Sequence, residues 1–126
     1  MMGFRLAIVA IMGAALGLGL GNRVQARAAS DGYWTVAVSG QSGTCQGGSY
    51  RYAVQIVNGM IRYPGTDARI TGRVSAKGAV YVRISTSDRG AIGSGQLSRN
   101  FGSGSFRGQS LSGWCAGKWI AQRTGG

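Results

Sequence analysis

The chain has no histidine and no glutamate, and its acidic side chains are Asp31, Asp67 and Asp88. Each shortage removes a class of chemistry. A serine nucleophile has no imidazole to take its proton. A Ser–Lys pair would have to draw on Lys77 or Lys118, and neither stands in a recognisable motif. Paired-carboxylate catalysis would need two of three aspartates that fall in turn segments. A metal site would have only those aspartates and two cysteines to use. The Gly-rich stretch Gly90-Ala-Ile-Gly-Ser-Gly contains a short GxG, but no helix pattern follows it, so a phosphate cradle at a helix N-terminus is not expected. The expectation is a protein without enzymatic activity, cofactor or metal.

Long hydrophobic runs are equally scarce. The one present, Leu6 to Leu20, is 15 residues of apolar side chains and glycine, preceded by the basic start Met1 to Arg5. It is shorter than the roughly 20 residues a membrane-spanning helix needs. Small residues follow in Val24-Gln25-Ala26-Arg27-Ala28-Ala29, at signal-peptidase spacing. Residues 1–28 therefore read as a signal peptide, cleaved after Ala26 or Ala28, and 29–126 as a single domain exported to the periplasm or the medium. No cysteine lies near the cleavage region, so lipid anchoring has no support.

Cysteine is limited to Cys45 and Cys115. In an oxidising compartment, two cysteines without histidine or CxxC spacing read as a structural disulfide. It would close a loop of about 70 residues and stabilise by about 4 kcal/mol on the chain-entropy account. That matters for a domain of about 100 residues, whose core is modest.

Charge is lopsided. Removal of residues 1–28 takes Arg5, Arg23 and Arg27 from the 14 basic residues and leaves all three aspartates, a net charge of +8. Lys77 and Lys118 are the lysines of that domain and the rest of its cations are arginines. Such a surface attracts polyanions: lipopolysaccharide, acidic polysaccharide, nucleic acid or an acidic protein. The same charge also serves solubility and resists edge-to-edge pairing.

What the chain does have is glycine, 24 residues of it, set between runs of period-two alternation at intervals of about a dozen residues. Gly32 to Gly40 places Trp34, Val36 and Val38 on one face, and Ser49 to Val57 does the same for Tyr50, Tyr52, Val54 and Ile56. Asn58-Gly59 predicts a two-residue type I′ hairpin turn that sets Ile56 against Ile61 and Val54 against Tyr63. A three-residue turn at Ala76-Lys77-Gly78, with Gly78 left-handed, aligns Val74 with Val80, Gly72 with Val82 and Ile70 with Ile84. Ala91 to Ser98 and Ser103 to Leu111 would pair around Arg99 to Gly102, setting Leu97 against Gly104 and Gly95 against Phe106. Gly113 to Arg123 puts Cys115, Gly117, Trp119 and Ala121 together and can pair with the first strand. Gly72-Arg-Val-Ser-Ala-Lys-Gly and Gly95-Gln-Leu-Ser-Arg-Asn-Phe-Gly form a faint internal repeat. The fold class is all-β: an antiparallel up-and-down meander of about eight short strands forming a small barrel or closed sandwich. A transmembrane barrel would carry an apolar outer band, and arginines occupy those positions instead.

Five of those arginines, Arg51, Arg62, Arg69, Arg73 and Arg83, fall opposite the apolar face of strands two to five, with Tyr81 across from Arg73. Guanidinium groups in a row bind phosphate, sulfate or carboxylate through paired N–H donors, so this face is the candidate anion-binding site. Inward-facing Trp34, Tyr52, Tyr63, Phe106 and Trp119 read as core that leaves little space for a ligand, and Tyr33 and Trp114 as exposed.

The motifs Asp31-Gly-Tyr-Trp-Thr-Val-Ala-Val, Cys45, Tyr50-Arg-Tyr-Ala-Val, Asn58-Gly59, Gly72-Arg-Val-Ser and Trp114-Cys115-Ala-Gly-Lys-Trp119 resemble small exported Gly-rich β-barrel proteins of Gram-negative bacteria. That resemblance covers most of residues 29–126 and implies a structure without implying an activity. A weaker similarity, carried by Gly32-Tyr33-Trp34, the meander and the single disulfide, extends to lipocalin- and avidin-like barrels and to periplasmic metalloprotease inhibitors. The expected function is an exported binding module that engages an anionic envelope or extracellular component through the arginine face, nucleic acid being the less favoured polyanion. The alternatives are a protein-partner binder resembling a protease inhibitor and a carrier of a small hydrophobic ligand.

Overall fold

A computed structural model describes residues 29–126. The predicted signal peptide, 1–28, lies outside the described residues. Eight antiparallel strands run β1 Gly32–Gly43, β2 Ser49–Val57, β3 Met60–Arg62, β4 Arg69–Val74, β5 Ala79–Ser85, β6 Arg89–Leu97, β7 Phe101–Ser110 and β8 Gly113–Gly125. Each pairs with the next, and β8 returns to β1, so the sheet is a closed barrel. Closure removes most free strand edges, but short β3 pairs only Gln55–Val57 of β2 and Gly72 and Arg73 of β4, so the ladder stops before the expected Val54–Tyr63 pair.

Turn chemistry sets the register. Asn58 and Gly59 both adopt positive φ (51° and 77°), as a type I′ turn requires. Ile56 then pairs with Ile61. Gly78 is left-handed (φ 89°), and Val74, Gly72 and Ile70 pair with Val80, Val82 and Ile84. The apolar alternation therefore faces the barrel interior from β1 to β5, as the sequence pattern predicts.

The β6–β7 hairpin departs from expectation. Leu97 pairs with Gly102, Gly95 with Gly104 and Gly93 with Phe106, two residues away from the predicted register. The chain already turns at Arg99-Asn100, where the Ser98 amide and hydroxyl both donate to the Phe101 carbonyl. A slip of two keeps every side chain on its own face, so the inward set is unchanged. The ring of Trp119 explains the preference. It packs against Gly95 and Gly104, where added methyls would stand 2.5 and 2.6 Å from ring atoms. Phe106 takes the same advantage of Gly117 on β8, its partner across the ladder.

The two ends of the barrel differ. Trp34, Ile56, Val74, Val80, Leu97 and Ala121 are buried at the end formed by the 58–59, 75–78 and 98–100 turns and both termini of the barrel. The guanidinium of Arg123 seals that end. It stacks 4.8 Å from the Trp34 ring centroid and donates to the carbonyls of Ala29, Asp31 and Arg99. The Asp31 carboxylate accepts from the amides of Asn58 and Gly59 at 2.8 and 3.0 Å, tying the entry segment to the first hairpin turn. At the other end the Cys45–Cys115 disulfide, Cα–Cα 5.4 Å, joins the β1–β2 loop to β8.

Candidate functional site

Toward the disulfide end the inward side chains stop filling the barrel. Val36, Val38, Tyr52, Val82, Ile84 and Phe106 are only half-buried because they border a cavity of about 670 Å³. Glycine on the inward face makes this space, at Gly93 and Gly108 in particular. The expectation that the rings leave little room is thus corrected: Trp34 and Trp119 are buried in the core, and they line the cavity together with Tyr52 and Phe106. An eight-stranded barrel has an interior that side chains can fill or that can hold one small ligand; here the side chains are most deeply buried toward the Arg123 end, and the cavity lining runs from Trp34, Ile56 and Val80 there to the loops of the disulfide end.

The cavity opens where the loops of the disulfide end gather. Thr44, Asp67, Thr86, Asp88, Arg89 and Leu111 belong to its lining there, and Leu111 is 93% exposed. Arg89 donates to the Tyr50 hydroxyl at 3.3 Å and lies 3.7 Å from the Asp88 carboxylate. The Tyr63 hydroxyl donates to Asp67 at 2.6 Å, and its ring meets Tyr52 edge-on at 5.6 Å. These contacts raise both tyrosines above the ordinary phenol range. For Tyr52 the main cause is burial and the next is the Asp67 charge; for Tyr63 it is the hydrogen bond to Asp67, followed by desolvation. The Tyr50 bond likewise favours the charged form of Arg89. The rim is thus a polar collar around an apolar interior.

The sequence-predicted arginine site lies on the outside of the barrel. Arg51, Arg62, Arg69, Arg73 and Arg83 are all exposed, as is Tyr81, and Tyr81 pairs with Arg73. Arg73 and Arg69 share β4, Arg83 faces Thr71 across the ladder, and Arg62 follows Met60, the β3 partner of Arg73. These four form one patch with Tyr81. Arg51 stands apart near the far end of β2, paired with Ala37 of β1. Arg107, which the sequence reading missed, extends the patch instead through Arg83, Ile92 and Arg107 on successive strands. Its outward parity on β7 was the available signal. Among the described residues the one ion pair is Arg89–Asp88, so the patch carries its charge uncompensated. Comparison with protein families, characterised proteins and solved structures returns no match.

Among the described residues no three of His, Cys, Asp and Glu come together, and Asp67 and Asp88 are each engaged by a neighbour at the rim. The chemistry the interior offers is enclosure of apolar surface.

Proposed function

We propose that the protein is an exported, water-soluble binding protein, not an enzyme, that encloses a small hydrophobic ligand in its barrel. The carrying observation is the apolar cavity of about 670 Å³ with an opening at the loop end, within the roughly 300–1,000 Å³ typical of ligand sites. The outward arginines support a soluble barrel, because each would cost several kcal/mol facing lipid. The disulfide supports an oxidising compartment.

The test is titration of the oxidised protein with a neutral hydrophobic fluorophore such as N-phenylnaphthylamine. Trp34 and Trp119 line the cavity, so saturable one-to-one binding should change tryptophan emission and enhance that of the probe. Ala91 borders the cavity from β6, and Ala91→Phe should weaken binding at least tenfold while leaving the fold intact. Absence of saturable binding, or binding indifferent to Ala91→Phe, refutes the reading.

A second reading has its own observation: the uncompensated patch of Arg62, Arg69, Arg73, Arg83 and Tyr81. We propose that it engages lipopolysaccharide or acidic polysaccharide. Replacing the four arginines by Gln should abolish retention on an immobilised polyanion and flatten its salt dependence. Equal retention of both proteins refutes it.

A further inference from the structure

The two most exposed large apolar side chains among the described residues belong to one hairpin. Leu111, in the β7–β8 turn, is 93% exposed, and Trp114, three residues on, is 57% exposed. Ser110 pairs with Gly113, so Leu111 and Ser112 form a two-residue turn, where glycine and small polar residues ordinarily stand. A leucine so exposed adds nothing to the core. The base of the hairpin is braced. The Trp114 carbonyl accepts from the Thr44 amide at 2.8 Å and from the Thr44 hydroxyl at 3.2 Å, and Cys115 is bonded to Cys45. The β1–β2 loop and the disulfide thus fix an apolar tip at one end of the barrel.

That end is the cavity mouth, and Leu111 is itself part of the lining. Basic side chains surround it. Arg69 and Arg89 begin β4 and β6 at the mouth, and Arg51, Arg83 and Arg107 lie within three residues of the mouth ends of β2, β5 and β7. All five are exposed. Arg69 shares a ladder row with Trp114, through Ser85, Gly90 and Gln109. The two rim carboxylates are engaged, Asp67 by the Tyr63 hydroxyl and Asp88 by Arg89 and Thr86.

We infer that the mouth end is a docking surface for an anionic lipid bilayer, with Leu111 and Trp114 entering the interface and the arginines resting on the headgroups. Each part has its physical reason. Leucine gains by leaving water, tryptophan settles at headgroup level, and basic side chains are drawn to anionic lipid. A soluble acidic protein or polysaccharide would satisfy the charge and leave Leu111 in water. A second copy of this basic chain would be repelled. The docking does not depend on the cavity being filled. Direct exchange of a hydrophobic ligand between bilayer and barrel is a consequence that does rest on the cavity being the binding site.

The experiment is sedimentation of the oxidised protein with vesicles of phosphatidylglycerol and phosphatidylcholine, and with vesicles of phosphatidylcholine alone. Wild type should bind the anionic vesicles, and the Trp114 emission, read as the difference from Trp114→Phe, should shift to the blue. Leu111→Ser combined with Trp114→Ser should weaken that binding about tenfold. Both side chains are exposed, and near-ultraviolet circular dichroism checks that the fold is kept. Arg51→Gln with Arg107→Gln should also weaken it about tenfold. Lys77→Gln with Arg99→Gln removes the same charge from the sealed end. Nine-residue β6 separates those turns from the mouth by about 20 Å at the usual strand rise and barrel tilt, beyond the Debye length, so the change should stay under about threefold. Equal loss from the two charge pairs, or indifference to the Leu111 and Trp114 changes, reduces the binding to charge alone and overturns the inference. Absence of binding to anionic vesicles overturns it too. Docking by a protein that takes up no hydrophobic probe sustains the inference and removes only the exchange.

Discussion

Arg123 is the residue on which the closed end depends, and Arg123→Met tests that reasoning. Methionine keeps an unbranched apolar stem over Trp34 but removes the guanidinium. Lost with it are the bonds to the carbonyls of Arg99 (2.9 Å), Ala29 (2.7 Å) and Asp31, and the stacking at 4.8 Å over the indole. Two of these bonds are solvent-exposed and contribute little. The partly buried bond to Asp31 and the cation–π contact contribute more, and together the loss comes to about 3 kcal/mol. For a domain of this size that lowers the melting temperature by about 15 °C. Thermal unfolding of the oxidised protein, followed by near-ultraviolet circular dichroism, reads the shift. Arg123→Lys, which keeps a charge but not the planar fork, should fall between the two. Hydrogen exchange should quicken first at Asn58 and Gly59, whose amides are held by Asp31 and so indirectly by Arg123. A loss below about 1 kcal/mol would mean that water replaces the guanidinium, and the sealed-end account would fail.

Three further outcomes can be checked. Asp31→Ala removes the acceptor for two hairpin amides and should cost about 1–2 kcal/mol in urea unfolding, with Asp31→Asn retaining part of it. Replacing both Cys45 and Cys115 by Ser opens a loop spanning 70 residues and should cost about 4 kcal/mol; a change under about 1 kcal/mol would show that the barrel closes unaided. Tyr52 and Tyr63 have raised pKa values in the fold, so their contribution to stability is complete below the unfolded tyrosine value of about 10 and is lost as pH rises through the higher folded values. Phenolate absorbance should therefore show ionisation above the unfolded tyrosine value, and Tyr63→Phe should remove one of these late steps; absence of any such late ionisation contradicts the rim geometry.

Local chemistry made β1 to β5 readable from the chain. Alternation assigned the faces, and Asn58-Gly59 and Gly78 fixed the offsets, because few backbone solutions satisfy positive φ and apolar pairing at once. The β6–β7 register was not readable in the same way. Gly90, Gly93, Gly95, Gly102, Gly104 and Gly108 supply no side chains to discriminate between offsets of two, and the deciding body, the Trp119 ring, comes from β8. Arg123 continues the inward alternation of Cys115, Gly117, Trp119 and Ala121, so its direction was legible. Its purpose was not, since the carbonyls it binds lie on segments 29–31 and 99 that only the closed barrel assembles. The arginine face was legible as parity, whereas its grouping, with Arg107 extending it and Arg51 apart, depended on strand order and stagger.

The cavity was the least visible feature, and the reason bears on function. Its size depends on how rings pack against glycines, a pairing between strands that alternation does not encode. Trp119 and Phe106, diagonal neighbours on the paired strands β8 and β7, each lie against a glycine across the ladder, so large side chains cost little of the internal volume. The inward glycines of the last three strands therefore serve more than curvature. An alanine at Gly95 or Gly104 would meet the carbonyl of Ser103 or Ser94 on the paired strand as well as the Trp119 ring, so it would strain the β6–β7 ladder and displace the ring together. The inner cavity and the outer arginine patch also share β4 and β5 through opposite faces. Their side chains do not compete, so ligand binding and polyanion retention should be separable by mutation: Ala91→Phe should weaken only the first, and the four Arg→Gln changes should abolish only the second.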